Sequence, residues 1–554
     1  MEIKDKHKLR NYQIEHFNRV LKILDHHHAY LDTSEPGAGK THIPVQIALN
    51  RKMSVLVICP KSMVHKWKHI LNKYGVNCID VLTYASLRGT EKHPPKHGYL
   101  KLKNGKYTAT PKFNKLVTQK LLLVFDESHN IKNKNSQFSA SFALVKALIN
   151  LSNENIFSKI ALLSATPGNE KEHTGNILKL MGFTIKDKLY SYNRSDKKYY
   201  LVGLEDVIQK CLKLDSETTT FIICRPINRS TINTISHLLF TNIIKQHCTS
   251  EMVVPENNLR KRDAKDGFYI MDNTDVELIK KGIGLLTSAV KYEHHSGRVN
   301  FDKGCWGNIT TALMIIESGK LNTMVRLCKE KLINDPNCKV VLYFNYIKNM
   351  KAAYNILSSY NPLYMDGQTN SIHRKNIIKL FQHDSNNYRI LISNPKVGGI
   401  GVDLDDIYGN HKRYLFQIPT YNYIDSHQSA CRIYRSNTKS LATIRFVYSK
   451  KFPFETSILN AIIRKRNIVR DIITDDKNKV ILPGEYEIEI EGDTSDFDKN
   501  FYTDLSIYSN YSNNSSNDNF NILLSNNNNL VSTKKLFPSS LPSNYYLKHT
   551  NNLQ

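Results

Sequence analysis

The chain has 554 residues, long enough for roughly three to four domains of ordinary size, and its 40% hydrophobic and 23% charged residues supply sizeable cores and exclude wholesale disorder. Lys and Arg total 77 against 50 for Asp and Glu, a net charge of +27 that points to a polyanionic partner, nucleic acid being the commonest. A composition set by an AT-rich genome, with Lys, Asn, Ile and Tyr raised together, would give the same excess.

The N-terminal MEIKDKHKLR has no apolar stretch of a secretory leader. From Leu9 to Gly182, short apolar runs alternate with helical patterns, predicting buried parallel strands at Ala29–Leu31, Val55–Cys59, Leu121–Phe125 and Ile160–Leu163. Residues 1–182 are therefore taken as a first α/β domain. Residues 183–318 are more polar, with charged stretches such as Asn257–Gly267, and read as a mostly helical insertion lacking a wedge hairpin. The rhythm resumes over 319–474, with strands predicted at Val340–Phe344, Arg389–Ile392, Arg413–Gln417 and Thr443–Val447. Residues 475–554 turn acidic and then Asn/Ser-rich, as in YSNNSSNDNF and LLSNNNNL, which predicts a flexible low-complexity tail. The fold class expected is α/β, two parallel-sheet domains in tandem.

After Ala29–Leu31 comes Ser34-Glu35-Pro36-Gly37-Ala38-Gly39-Lys40-Thr41, then the helical IPVQIALN. Strand, glycine-bearing turn, Gly-Lys-Thr and helix form the order of a phosphate cradle: N–H groups at a helix start face the phosphates, and glycines let the backbone approach. Lys40 would neutralise the β- and γ-phosphates of ATP, and Thr41 would offer its hydroxyl to Mg2+. The second half of such a site is an acidic pair at the carboxyl end of another buried strand, and LLLVF followed by Asp126-Glu127-Ser128-His129 supplies it. Asp126 is then the Mg2+ ligand and Glu127 the group that orients and deprotonates the attacking water.

With these elements placed, the chain resembles superfamily 2 helicases and translocases, most closely the Swi/Snf-type ATPases. Leu9-Arg10-Asn11-Tyr12-Gln13 resembles their adenine-reading glutamine motif, with Gln13 as reader. VLVICPKSMVHKWKHIL, containing Lys61 and Trp67, and Val81-Leu82-Thr83-Tyr84 resemble the motifs that touch nucleic acid, which implies contacts through Lys61, Trp67, Thr83 and Tyr84. DESH resembles the DEAH box, and Leu163-Ser164-Ala165-Thr166-Pro167 the motif coupling hydrolysis to movement, implying coupling roles for His129, Ser164, Thr166 and Gln428. In the second half, Ser318-Gly319-Lys320, KVVLYFNY and Asp366-Gly367-Gln368-Thr369 with Arg374 fit the pattern. NPKVGGIGVDL (Asn394–Leu404) is similar to motif V, with Gly401 and Asp403 assigned to the nucleotide, and Gln428-Ser429-Ala430-Cys431-Arg432-Ile433-Tyr434-Arg435 to motif VI. Motif VI is expected to set Arg432 and Arg435 one helical turn apart as arginine fingers. Ser34, Ser128 and Cys431 depart from the family pattern, and none of the three removes a group that does chemistry.

The resemblance implies two RecA-like lobes, ATP and Mg2+ as cofactors, and a nucleic-acid-dependent ATPase, with double-stranded DNA as partner and a possible RNA polymerase or transcription complex beside it. The compact motor with an Asn/Ser-rich tail is similar to ATPases of large cytoplasmic DNA viruses, of the poxviral nucleoside triphosphatase I and early transcription factor small-subunit type, and to helicases of AT-rich cytoplasmic linear plasmids, which implies a role in viral or plasmid transcription. A strand-separating DNA or RNA helicase and an ATP-clamped non-motor subunit are the alternatives. Nine scattered cysteines without a C-x-x-C pair argue against a zinc ribbon or a disulfide framework. The longest apolar runs, SVLVIC and KLLLVF, are strand-length, so no membrane span is expected and the protein is read as soluble and intracellular, in host cytoplasm or virion if viral. His26-His27-His28 is read as a solvated helix end, because three consecutive side chains do not point at one centre.

Overall fold

A computed structural model describes residues 9–152, 158–224, 227–253, 262–289, 291–293, 298–300, 306–399, 402–435, 438–474 and 488–492. The chain divides into two compact units, Met1–Leu259 with Lys465–Lys479, and Arg260–Arg464 with the segment from Val480 onward, each built on its own parallel sheet.

The first unit contains strands β1 (Ala29–Asp32), β2 (Ser54–Cys59), β3 (Cys78–Thr83), β4 (Leu121–Asp126), β5 (Lys159–Leu163) and β6 (Thr249–Ser250), in spatial order β6-β1-β5-β4-β2-β3 with all neighbours parallel. Every residue of β1, β4 and β5 is buried, which is why AYLD, LLLVFD and KIALL read as near-continuous apolar runs: a parallel sheet is covered on both faces. Helix Asn11–His26 buries Val20 and Leu24 against one face, beside Ile43, Val45 and Ile47 of helix His42–Arg51. The register pairs Asp32 with Leu163 and Leu163 with Asp126, so three adjacent strands end in line and their loops leave the sheet side by side.

The second unit contains β7 (Arg262–Tyr269), β8 (Lys339–Tyr343), β9 (Leu363–Met365), β10 (Ile390–Ser393), β11 (Arg413–Gln417), β12 (Ala442–Ser449) and β13 (Ile488–Ile490), in order β9-β10-β8-β11-β12-β7-β13, again all parallel. Lys320 and Glu455 form a pair with almost no solvent contact, Nζ lying 2.7 Å from Oε1, so the lysine of Ser318-Gly319-Lys320 serves the packing of this unit.

Two readings of the sequence change. Residues 183–318 are not one insertion: the part up to 253 belongs to the first unit and ends in β6, whereas β7 is already a strand of the second sheet. That same part carries an antiparallel hairpin, Tyr190–Asn193 with Lys198–Leu201, where none was expected. Within the segment read as tail, Ile488–Ile490 pairs with β7, and Arg445 binds both neighbours, Nη2 to Asp263 Oδ2 and Nε to Glu489 Oε2, each at 2.8 Å. Residues 475–487 and 493–554 lie outside the described residues. Among the described residues no helix is long and apolar enough to cross a membrane, and no cluster of three or more His, Cys, Asp or Glu could hold a metal ion.

Candidate nucleotide site

The turn between β1 and helix His42–Arg51 is drawn tight by its own groups. Gly37 and Gly39 take φ of +84° and +99°, a region open to glycine at little cost, and a Cβ on Gly39 would collide with the Gln13 amide. Lys40 Nζ donates to the carbonyls of Ser34 at 2.7 Å and Glu35 at 3.1 Å, so its ammonium is folded over the turn. Gln13 Nε2 donates to Ala38 O at 3.0 Å while its Oε1 accepts from Arg10 N–H at 3.0 Å, which fixes the glutamine against the glycine turn. Thr41 is buried and opens the helix, and Pro36 stays partly exposed.

The entry to the turn is braced by a network that sequence reasoning missed. Asp32 Oδ2 lies 3.1 Å from His16 Nε2, both without solvent contact, and His16 Nδ1 lies 2.9 Å from Ser250 Oγ. Ser34 donates through N and Oγ to Asp32 Oδ1, and its Oγ accepts from Met252 N at 2.9 Å. Burial alone would raise the Asp32 carboxyl, but His16, Lys40 and Ser34 more than offset it and hold the group below the usual carboxylate range. The one sequence signal was an acid closing a buried strand beside the glycine turn. Its partners come from residues 16 and 250, which no local pattern links.

At the end of β4, Asp126 is buried, with Oδ2 accepting from Trp67 Nε1 at 2.7 Å and Oδ1 accepting from Glu127 N at 3.0 Å. Its pKa is pushed up to about 6 by burial and then by the neighbouring Glu127, with Trp67 and Lys40 pulling the other way. Glu127 takes φ of +51°, which swings its carboxylate out of the strand direction toward His129, whose Nδ1 lies 3.3 Å from Glu127 Oε2. The same Nδ1 lies 3.3 Å from Ser164 Oγ, which in turn accepts from Thr166 N at 3.2 Å, so the acidic box and the loop after β5 are connected through one imidazole.

The four residues assigned to nucleic acid separate. Lys61 is exposed. Thr83 is half-buried and caps helix Tyr84–Arg88, its Oγ1 accepting from Ser86 N at 3.0 Å. Trp67 has 0% exposure and Tyr84 4%; the first donates to the Asp126 carboxylate and the second to the Asp126 carbonyl at 2.8 Å. Both are corrections: these rings hold the acidic box and are not available to a nucleic acid.

In the second unit, helix Tyr423–Ala430 carries Gln428, which is buried, and stops at Cys431. Arg432 and Arg435 therefore lie beyond the helix, a second correction, since a shared helical face was expected. A turn brings them to Gly399, Val402 and Asp403 instead. Arg432 donates through Nε to Gly399 O at 2.9 Å and through Nη2 to the same oxygen, while Arg435 lies 3.0 Å from Asp403 Oδ1 and donates to Val402 O at 3.4 Å. Gly401 lies outside the described residues.

Two family models match the chain: that of the type III restriction enzyme, res subunit, over residues 6–169, and that of the helicase conserved C-terminal domain over residues 320–437. The chain is 24% identical over 478 residues, 83% of its own length and 82% of the relative's, to protein L364 of Acanthamoeba polyphaga mimivirus, whose name describes an ATP-dependent RNA helicase. Among solved structures, the SWI2/SNF2 ATPase core domain of Sulfolobus solfataricus matches with a TM-score of 0.29 and 17% identity, over 85% of this chain and 91% of that one.

Proposed function

We propose that this chain, which belongs to the superfamily 2 helicase-type ATPases and hydrolyses ATP, is a motor that tracks along double-stranded DNA in the transcription of a viral or plasmid genome. The observation that carries the ATPase half is the alignment of Asp32, Leu163 and Asp126 across three strands, with Lys40 folded over the glycine turn at the same end of the sheet. In this reading Ser34 to Thr41 cradle the phosphates, Lys40 turns from the carbonyls it now holds to the β- and γ-oxygens, and Gln13 reads the adenine. Glu127, swung clear of the strand, orients the attacking water and takes its proton, while His129 reports the state of that carboxylate to Ser164 and Thr166. Arg432 and Arg435, held ready by loop carbonyls and Asp403, act as arginine fingers, with Gln428 behind them.

The donors present suit a magnesium ion. Asp126, buried at the end of its strand, and the Thr41 hydroxyl at the helix start are hard oxygen groups of the kind that holds such an ion. When bound, Mg2+ would offset the charge that develops on the phosphate oxygens.

The +27 charge and the Swi/Snf-like wording of the motifs support the duplex reading. The test is ATP turnover without nucleic acid and with single-stranded DNA, duplex DNA or RNA. Duplex should stimulate at least as strongly as single strands, and with ~5 phosphate contacts the log–log salt slope should be about −4 to −5. Stimulation by RNA alone would overturn the DNA reading and favour a strand-separating RNA helicase, the reading that the name of the mimivirus relative supports.

A further inference from the structure

The hairpin Tyr190–Asn193/Lys198–Leu201 is a sheet of two strands with no third neighbour among the described residues. Such a ribbon is marginal in water by itself, and here it is tied down at its base. Val202 N donates to Leu189 O at 2.9 Å and Gly203 N to Lys188 O at 3.0 Å, while Lys146 pairs with Asp187 at 2.5 Å and Lys179 Nζ donates to Asp187 O at 2.8 Å. A firm base with a free ribbon above it presents its side chains in fixed directions.

The register pairs Tyr190 with Leu201 and Tyr192 with Tyr199, so three tyrosines share one face. The Tyr192 and Tyr199 rings are 4.8 Å apart and those of Tyr190 and Tyr199 5.7 Å. Tyr190 and Tyr199 are half-buried in this cluster, but Tyr192 is left 48% exposed, and Tyr200 on the opposite face 47%. At the tip, Asp196 is occupied within the turn, accepting from the Tyr200 hydroxyl, from Lys198 N at 3.1 Å and from Asn193 Nδ2 at 3.3 Å. Its cationic neighbours Arg194, Lys197 and Lys198 are exposed, and among the described residues they make no ion pair. Cross-strand tyrosine packing alone would account for Tyr199, which is partly buried, but not for two half-exposed rings beside three exposed cations.

Flat aromatic faces flanked by cations are the combination that holds unpaired nucleotides, bases stacking on the rings and phosphates meeting the charges. We propose that this hairpin binds single-stranded nucleic acid, so that the motor engages an unpaired strand as well as a duplex. The proposal rests on the nucleic-acid reading above, and its test keeps the two apart.

The full-length protein is titrated with fluorescently labelled single-stranded DNA, single-stranded RNA and blunt duplex DNA. Tyr192→Ala should weaken single-strand binding about 5- to 100-fold, from loss of one stacked base, and leave blunt-duplex binding unchanged, while Tyr192→Phe should bind as wild type. The triple variant Arg194→Ala, Lys197→Ala, Lys198→Ala removes no ring and no hairpin contact, so it folds independently of any effect of Tyr192 on packing. It should lower the single-strand salt slope by about 2. The difference between the DNA and RNA arms identifies which single strand is held. If wild type binds single strands and both variants bind them equally well, the hairpin serves another partner and the proposal falls, with the nucleic-acid reading intact. If wild type binds no nucleic acid, the reading beneath it falls as well.

Discussion

Replacing Trp67 by Phe separates a surface aromatic from a structural one. In the fold, Trp67 is fully buried and its Nε1 donates to Asp126 Oδ2 at 2.7 Å. Phe keeps most of the ring but removes the donor, leaving a buried carboxylate oxygen without that partner. A hydrogen bond to a charged acceptor contributes about 1.5–3 kcal/mol, and the missing part of the indole leaves a partial cavity costing about 1 kcal/mol. The expected loss is therefore about 2.5–4 kcal/mol, read from urea unfolding by circular dichroism. Turnover should fall on the order of 10- to 100-fold, because Asp126 loses the group that aims it. Nucleic-acid affinity without nucleotide should not change. A variant that unfolds within 0.5 kcal/mol of wild type, hydrolyses ATP normally and loses nucleic-acid affinity would refute the buried placement.

Further expectations concern the groups around it. Glu127→Gln should bind ATP and fail to hydrolyse it, which equilibrium nucleotide binding beside a turnover assay would show; near-wild-type turnover removes Glu127 from the water-activating role. Arg432→Ala or Arg435→Ala should cut kcat on the order of 10³-fold with a smaller change in ATP affinity, and a change confined to nucleic-acid binding would reassign both. Because Asp32 is held below the ordinary carboxylate range, it contributes stability that is complete above about pH 4 and lost as pH falls through its lower folded value. Asp32→Asn should therefore lower stability at neutral pH and flatten the acid limb of a melting-temperature profile; an acid limb identical to wild type would count against the His16–Asp32 brace.

The parts of the fold that could be read from the sequence are those where burial shapes composition. Strands β1, β2, β4 and β5 are covered on both faces, so their residues are apolar except for one at an end, and the glycine turn and acidic box follow them at fixed offsets. Strand β7, RDAKDGFY, was unreadable because its charged residues find distant partners, Asp263 pairing with Arg445, 182 residues away, and Arg262 lying over the Tyr434 ring. Strand β6 has two residues, too few to show a period. Trp67 and Tyr84 were assigned to nucleic acid because their motifs resemble ones that touch it, and a resemblance of letters does not say which way a ring points. The arginines were expected on a helix because Gln-x-x-x-Arg-x-x-Arg has helical spacing, but the chain turns after Ala430.

The brace from Ser250 and Met252 bears on how the protein is made. A ribosome that has delivered the chain as far as Gly182 has released the glycine turn, the acidic box and five strands of the first parallel sheet, yet β1 is still an edge: Leu31 and Asp32 await Thr249 and Ser250. Ser34 lacks the Met252 amide, and Thr33, whose hydroxyl donates to Ile473 O at 3.4 Å, waits for nearly the whole described chain. The proposed nucleotide site thus matures late in synthesis although its residues emerge first, and until then β1 offers other strands an unpaired edge. A fragment cut at residue 182 would carry every residue of the glycine turn and still lack the Ser250 and Met252 contacts that hold the turn in shape.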